Sequence, residues 1–196
     1  MRIHTFAIIL ENPSDLTSQL EDAVHEAGCG DAALGMRSGV VYLEFDREAD
    51  SFLEAVLTAI RDLSSIPGAV VARVEPDELV TASDIADRIG RTREGVRLLI
   101  EGARGPGGFP VPVSGSSARR IRLWRWSQVA EWLDEHGFTA DRRDAARIIA
   151  AINGALDLVR NADNGTGEEI LEAVRRAHAD RVLPHPSERW RIERQQ

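Results

Sequence analysis

The feature that most constrains this chain is the spacing of cap residues and one glycine between residues 81 and 100. Thr81, with Asp84 three positions later, has the pattern of a capping box that opens a helix. Gly90 can adopt the left-handed conformation that ends this helix, and Thr92 can cap a second one. Two short helices joined by so tight a turn predict a helix-turn-helix.

The second of these helices is predicted to bury one face and to expose another. Val96, together with Leu99 or Ile100, has the spacing of an inward-facing stripe. Three charged residues then point outward from the first turns, where a recognition helix meets the edges of DNA bases. These residues are Arg93, Glu94 and Arg97. We expect the arginines to pair with guanine and the glutamate to contact cytosine in the major groove.

A wing is predicted after the second helix. Residues 101–110 are rich in glycine and proline, but they lack the ending of a phosphate-binding loop, so we interpret them as a connection and not a nucleotide site. Val111–Val113 and Arg120–Trp124 can then pair as strands around a small polar tip. Small hydroxyl residues and arginine can approach phosphates or enter a minor groove closely. The residues predicted to make such contacts are Arg91, Thr92, Ser116, Ser117, Arg119 and Arg120.

The aromatic residues that close this segment are predicted to be core. Ser127 has the character of an N-cap, and Val129 and Trp132 follow it on one helical face. Trp124 and Trp126 lie just before this helix. We therefore expect the indole rings to seal a small core and not to stack on bases.

Charge is distributed unevenly along the chain. The net charge is −8, and every basic side chain apart from histidine is arginine. Residues 1–78 hold 5 Arg and 15 Asp or Glu, a net −10, whereas residues 79–133 hold 9 Arg and 5 acids, a net +4. Residues 134–196 hold 10 Arg and 12 acids, a net −2. The positive charge therefore lies on the segment with the helix-turn-helix pattern, which favours nucleic-acid binding there.

Residues 80–133 resemble the winged helix-turn-helix of the MerR superfamily, in particular its excisionase and AlpA-like branch. The motifs that carry the resemblance are Thr81–Ala86, Gly90–Arg93, Gly108–Pro112, Leu123–Trp126, Val129 and Trp132–Leu133. The resemblance implies DNA recognition by the second helix and the wing, in repressors, activators or recombination directionality factors. Gly95 departs from the pattern and costs about 1 kcal/mol of helix propensity relative to alanine. It indicates either a close backbone approach to DNA or a weaker helix.

Residues 1–78 are predicted to form a ferredoxin-like domain, which makes the whole chain α+β. Hydrophobic periodicity gives the order strand, helix, strand, strand, helix, strand, with a hairpin at Arg37–Gly39. The predicted elements are strands over 5–10, 31–36, 40–45 and 69–74, and helices from Asn12 to Gly28 and from Ser51 to Leu63. This fold hosts many activities. Glu11, Glu44 and Asp46 could be imagined as nuclease residues, but solvated acids beside strands are the better interpretation, and a regulatory or interaction module is expected.

Residues 137–182 are predicted to form a helical hairpin after a winged unit that spans residues 79–136. Thr139 can cap a helix that runs to about Arg160. Its apolar residues recur as two heptads, which fall short of a coiled-coil signature. The residues of this seam are Ala145, Ile149, Ile152, Leu156 and Val159. Either the seam pairs with a second copy of the chain, which we prefer, or the helix packs back on the winged unit.

The chain is predicted to end with one more helix and a polar tail. Thr166 and Glu169 have the spacing of a capping box for a helix that reaches about Ala179. Residues 183–196 are polar and rich in arginine, with Trp190 as their one aromatic residue. We interpret them as a disordered or partner-docking tail.

Composition disfavours several classes of protein. No apolar run is long enough to span a bilayer, and the N-terminus lacks the segments of a signal peptide, so we expect no membrane partner. The single cysteine, Cys29, can form no internal disulfide, which suits a reducing cytoplasm. The five histidines have no metal-ligand spacing, and no catalytic triad is legible. We therefore expect no metal, no cofactor and no enzymatic activity.

Two functions from different classes remain. The first is a sequence-specific regulator that binds double-stranded DNA as a homodimer. The alternative is an antitoxin or inhibitor whose acidic N-terminal domain or tail binds a basic protein partner and whose DNA binding serves autorepression. A third, weaker option is the sensing of a small molecule by the ferredoxin-like domain.

Overall fold

The computed structural model of the chain describes residues 1–12, 15–76, 78–114, 122–138 and 143–179. The protein is mixed α+β, and its chain divides into two compact units, Met1–Leu156 and Asp157–Gln196. The strands are β1 Arg2–Asn12, β2 Ala32–Arg37, β3 Val40–Ala49, β4 Val70–Glu75, β5 Leu79–Val80 and β6 Trp124–Arg125. The helices are α1 Ser18–Glu26, α2 Phe52–Ser64, α3 Ala82–Ile89, α4 Arg93–Ile100, α5 Trp126–Glu135, α6 Arg143–Asn161 and α7 Asn164–Ala179.

Strands β1 to β4 form one antiparallel sheet in the order β2-β3-β1-β4. Alternate residues of the central strand β1 are buried with residues of α1 and α2 in one hydrophobic cluster, which we call the sheet cluster. Its members from β1 are Phe6, Ile8 and Leu10. Both helices therefore cover one face of the sheet, and the opposite face carries exposed residues such as Thr5, Glu44 and Asp46.

A second hydrophobic cluster lies in the later part of the first unit, and we call it the tryptophan cluster. Its buried members are Val80, Ile85, Ala86, Val96, Leu99, Trp124, Trp126, Val129, Ala130, Trp132, Leu133 and Ala146. They come from β5, α3, α4, β6, α5 and α6. The first unit is therefore built on two cores.

The hairpin between β2 and β3 lies where the sequence predicts it. Ser38 and Gly39 have positive φ angles of 53° and 76°. A two-residue turn with both residues in this conformation matches the twist of the paired strands. The register therefore begins with Arg37 opposite Val40 and reaches Ala32 opposite Phe45.

The first helix begins later than the sequence predicts. The predicted start at Asn12 is wrong, because Asn12 is the last residue of β1 and lies opposite Val70 of β4. The helix begins at Ser18, where the Thr17 hydroxyl accepts a hydrogen bond from the Leu20 amide at 3.1 Å. A threonine cap, and not the Asn-Pro step, therefore sets the boundary.

Strand β3 continues past its predicted end at residue 45. It runs to Ala49 because β1 is long enough to pair with it as far as Arg2. The added residues alternate between exposed and buried positions, and this alternation turns Arg47 toward the helices.

Arg47 is a buried cation, with only 8% of its side chain exposed. Its guanidinium donates to the Asp31 carboxylate at 2.8 and 3.0 Å and to the Asp62 carboxylate at 2.7 Å. The hydrogen bonds from Arg47 hold the pKa of the Asp31 carboxyl below its usual value. Arg47 therefore ties β3 to α2 and to the loop before β2.

Helix α6 packs inside the chain, which corrects the predicted dimerisation seam. Ile149 and Ile152 are buried in the sheet cluster, and Leu156 packs against it partly buried. Ala146, the neighbour of the predicted seam residue Ala145, is buried in the tryptophan cluster. The helix therefore packs back on the first unit, with the sheet as its main support, because the same apolar stripe suits either kind of neighbour.

Asn153 fixes α6 to the edge of the sheet. Its side-chain amide donates to the Val74 carbonyl at 2.9 Å, and its side-chain oxygen accepts from the Val74 amide at 2.8 Å. Val74 belongs to β4, which is an edge strand of the sheet. One side chain thus pairs with a backbone segment as a neighbouring strand would.

The second unit contains the end of α6 and all of α7. The predicted cap at Thr166 is wrong, because α7 begins at Asn164 and the Thr166 amide donates to the Asp163 carboxylate at 2.8 Å. This hydrogen bond lowers the pKa of the Asp163 carboxyl. Val159, the last residue of the predicted seam, is exposed. The predicted cap at Thr139 and the tail at 183–196 lie outside the described residues.

Candidate nucleic-acid interface

Local hydrogen bonds define both ends of α3. The Thr81 hydroxyl accepts from the Asp84 amide at 3.2 Å, and the Asp84 carboxylate accepts from the Thr81 amide at 2.8 Å, which is the predicted capping box. The backbone hydrogen bond from Thr81 lowers the pKa of the Asp84 carboxyl. Gly90 ends the helix with φ of 64°, a left-handed conformation that residues with a Cβ rarely adopt.

Two residues, Arg91 and the N-cap Thr92, separate Gly90 from α4. The Thr92 hydroxyl accepts from the Gly95 amide at 3.1 Å. A Cβ atom on Gly95 would lie 3.2 Å from this hydroxyl oxygen. Asp84 holds the same position relative to the Thr81 cap, and Leu20 relative to the Thr17 cap, and both residues carry a Cβ, so the cap alone does not require a glycine at residue 95.

The tryptophan cluster supports both helices from below, and the prediction that these tryptophans are core is confirmed. Trp124, Trp126 and Trp132 are buried together with Ile85 and Val96. Two of the indole nitrogens also donate to carbonyl groups of the glycine-rich connection. The pairs are Trp124 with Pro110 at 3.0 Å and Trp132 with Gly107 at 3.1 Å. The connection is thus fixed to the core on which α4 rests.

The predicted wing differs in its pairing. Val111–Val113 is not a strand, and the strand at Trp124 pairs with β5, where Val80 lies opposite Trp124. Among the described residues of the predicted wing, one antiparallel bridge, between Ser114 and Leu123, joins its two sides. The tip, with the predicted contacts Ser116, Ser117, Arg119 and Arg120, lies outside the described residues.

Helix α5 begins two residues before its predicted start, with Arg125 at the N-cap position. Ser127 is not the N-cap, because the helix already includes Trp126. The Glu78 carboxylate accepts from the Ser127 hydroxyl at 2.6 Å and from its amide at 3.3 Å. A distant acid therefore satisfies the helix terminus that the sequence assigns to a local cap.

The exposed face of α4 carries the charged residues that the sequence predicts, and a network of ion pairs joins them. Arg93, Glu94 and Arg97 are all exposed. Arg97 forms a two-pronged contact with the Glu94 carboxylate, at 2.8 Å from Nε and 2.6 Å from Nη2, and it also pairs with Glu101. The hydrogen bond from Arg97 lowers the pKa of the Glu94 carboxyl.

Glu101 is a residue that the sequence analysis missed. Its spacing of four residues from Arg97 is the i, i+4 spacing of helical ion pairs, which could have revealed it. The charges of Arg93, Glu94, Arg97 and Glu101 cancel, so α4 together with its C-cap residue is neutral, and any net positive potential must come from its surroundings.

Two exposed arginines, Arg91 and Arg122, lie over aromatic rings. The Arg91 guanidinium is 5.0 Å from the centre of the Phe138 ring, and the Arg122 guanidinium is 5.4 Å from the Trp124 ring. Both side chains are exposed despite these contacts. Arg122, which the sequence analysis did not select, is thus an exposed cation held against the tryptophan cluster.

Within the residues that the structure describes, no helix has both the length and the apolar character needed to cross a membrane. The same residues contain no group of three or more His, Cys, Asp or Glu side chains arranged to hold a metal ion. Comparison of the chain with protein-family models, with curated proteins and with solved structures finds no match.

Proposed function

We propose that this chain is a sequence-specific regulator that binds double-stranded DNA in the cytoplasm, with α4 as the recognition helix and the segment between Ser114 and Leu123 as a wing. The observation that carries the proposal is the succession of α3, Gly90 and α4, in which both helices are capped and α4 exposes its charged first turns. A helix held in this way can enter a major groove while its buried side rests on the tryptophan cluster.

Arg97 is the residue on which we expect base recognition to depend most. The two-pronged geometry with which it holds Glu94 is the geometry in which arginine binds guanine. An exposed ion pair contributes little free energy. Arg97 can therefore exchange its contact with Glu94 for one with a base at little cost in free energy. Glu94, once released, can accept from a cytosine amino group.

Phosphate contacts are proposed at the beginning of α4. Helix N-termini present backbone N–H groups to anions, and the side chain of Thr92 caps this one. Arg91 lies directly before the cap and is exposed. Arg122, which follows the proposed wing, supplies a further exposed cation over the Trp124 ring of the tryptophan cluster.

Selection of binding sites from a randomised duplex library tests the proposal, followed by fluorescence anisotropy with the selected site. We expect Arg97→Ala to weaken binding to that site by about tenfold or more and to relax the preference at one base pair. The matched control is Arg61→Ala, an exposed arginine on α2, which should leave affinity unchanged. Affinity should also fall with salt, with a log–log slope of roughly −0.9 per neutralised phosphate. Absence of any sequence preference, or intact affinity in Arg97→Ala, would refute the proposal.

The sheet and its helices are proposed to be a ferredoxin-like domain that controls assembly on DNA. The strand order β2-β3-β1-β4, with α1 and α2 as the two crossovers, supports this assignment. We further propose that two copies of the chain bind together. Two-fold related helices would then read half-sites about 34–36 Å apart, or a multiple of that distance.

A second candidate function is the binding of a basic protein partner by the acidic sheet. The observation that favours it is a cavity of about 660 Å³ on the sheet face that α1 and α2 leave open, lined in part by Glu44, Asp46 and Glu75. An arginine-rich peptide titrated against the protein tests this candidate, with Glu44→Arg as the variant. We expect charge reversal to weaken binding about tenfold, and equal binding by both proteins would reject the candidate.

A further inference from the structure

Helix α7 exposes an apolar stripe along its length. Ile170 and Leu171 each leave 43% of their surface exposed, and Val174 leaves 51%. Together with Gly167 and Ala177 they recur at steps of three and four, which places them on one side of the helix. The other side carries the charged residues Glu169, Glu172 and Arg176. The helix is therefore amphipathic, and its apolar side faces solvent.

A helix of this length gains little stability from its own hydrogen bonds. α7 has 16 residues, which barely exceeds the length of about 12–15 residues below which isolated helices are marginal in water even with good helix formers. Most helical stability in proteins comes from packing of the apolar side. The stripe of α7 is thus expected to be covered by a partner.

The charges beside the stripe select the partner. With Leu171 and Val174 at core positions of a heptad, Glu168 and Arg175 occupy one flank, and Ile170 and Ala177 occupy the other. Glu168 and Arg175 are seven residues apart, so they hold the same position in successive heptads. The flank is acidic toward the N-terminus and basic toward the C-terminus.

We propose that α7 pairs with α7 of a second copy of this chain, with the two helices antiparallel. In that orientation like flanks face each other, so Glu168 of each copy meets Arg175 of the other. Ile170 and Ala177 meet on the opposite flank, and Leu171 packs against Val174 between them. A parallel pair would instead set the apolar flank of one helix against the charged flank of the other. Charge complementarity therefore favours a second copy of α7 as the partner and favours the antiparallel orientation.

This interface rests on the second unit alone, and it specifies the homodimer that the proposed function includes. It also replaces the seam on α6, where Ile149 and Ile152 are committed to the sheet cluster. An isologous contact of this kind gives the two-fold symmetry on which paired half-sites depend.

Sedimentation equilibrium of the full chain without DNA tests the proposal. We expect the 21.6 kDa chain to associate to twice that mass at micromolar concentration. Leu171→Glu should raise the dimer dissociation constant about 100-fold, because it places a carboxylate of each copy in the apolar contact. Ala173→Glu is the matched control, since it adds the same charge to the outer side of the same helix and should leave the mass unchanged.

Charge reversal tests the direction of the helices. Glu168→Arg or Arg175→Glu alone should weaken the dimer about tenfold, because each change sets like charges against each other twice per dimer. The double variant should restore the wild-type constant. Neither single change should matter in a parallel pair.

A chain that stays monomeric at all concentrations overturns the proposal, as does a dimer indifferent to Leu171→Glu or to both charge reversals. A monomer would also be the result if residues 180–196 of the same chain covered the stripe. Because no DNA is present, these outcomes are separate from the test of DNA binding. A dimer with no sequence preference for DNA would refute the proposed function and leave the interface standing.

Discussion

Arg47 and Arg97 each bind two carboxylates, yet the two arrangements affect the molecule differently. Arg47 leaves 8% of its side chain exposed, and its partners, Asp31 and Asp62, lie 16 and 15 residues away along the chain. Arg97 leaves 47% exposed, and its partners lie within four residues on the same helix. A buried arginine that links distant segments contributes to folding, whereas an exposed one within a helix remains available to a ligand. Burial, and not the number of ion pairs, decides the role.

The largest effect is expected from removing the buried charge. Arg47→Met keeps most of the side-chain volume but leaves Asp31 and Asp62 without a cation, which should lower the free energy of unfolding by about 3 kcal/mol. Urea denaturation followed by tryptophan fluorescence measures the loss. Arg97→Met is the matched control and should leave the midpoint unchanged. Equal midpoints for the two variants would remove the distinction between the two arginines.

A smaller effect is expected on the pH dependence of the unfolding free energy in acid. The pKa of the Asp31 carboxyl is lower in the folded protein than in the unfolded chain, so the stability it supplies is complete above about pH 4 and is lost as the pH falls through the folded value. Asp31→Asn should therefore make the unfolding free energy less sensitive to pH between about 5 and 2. Urea denaturation at several pH values measures this slope.

The control for the acid experiment is Glu94→Gln, at a carboxyl whose pKa Arg97 also lowers. In about 0.2 M salt the exposed pair is screened, so this variant should follow the wild-type slope. If Glu94→Gln changed the pH dependence of the unfolding free energy as much as Asp31→Asn does, then solvent exposure would not weaken the ion pair between Glu94 and Arg97.

The smallest effect concerns DNA affinity. Glu101→Gln removes one of the carboxylates that Arg97 binds and makes the exposed face of α4 more positive. We expect about threefold tighter binding to every DNA sequence at low salt, with a steeper salt dependence. Asp62→Asn makes the equivalent change beside Arg47 and should lower the urea midpoint while leaving DNA affinity unchanged. Unaltered affinity in Glu101→Gln would show that these carboxylates do not oppose DNA.

Signals confined to a few neighbouring residues allowed accurate prediction of α3 and the start of α4. Thr81, Gly90 and Thr92 act on residues within one helical turn, so their patterns determine the local backbone almost alone. The hairpin at Ser38 and Gly39 was predictable for the same reason. Glu101 belongs to this class too, and the helical spacing that joins it to Arg97 is visible in the sequence.

Features that depend on distant residues could not be predicted in this way. The apolar stripe of α6 fits a second copy and the sheet equally well, and only tertiary packing decides between them. Asn153 adds a polar group beside that stripe, and nothing local identifies Val74 as its partner. The cap of α5 by Glu78, 49 residues before Ser127, is equally invisible to local patterns.

Helix α6 has a consequence for cooperativity. It contributes Ala146 to the tryptophan cluster and Ile149 and Ile152 to the sheet cluster, and Arg143 at its start pairs with Glu131 of α5 at 2.7 Å. If α6 detached, apolar side chains of both clusters would become exposed to water. We therefore expect the backbone amides of both clusters to exchange with deuterium in the same unfolding event. Residues 79–136 cut from the chain would lack that support. The element that we propose binds DNA is therefore not expected to fold as a transferable module without the sheet.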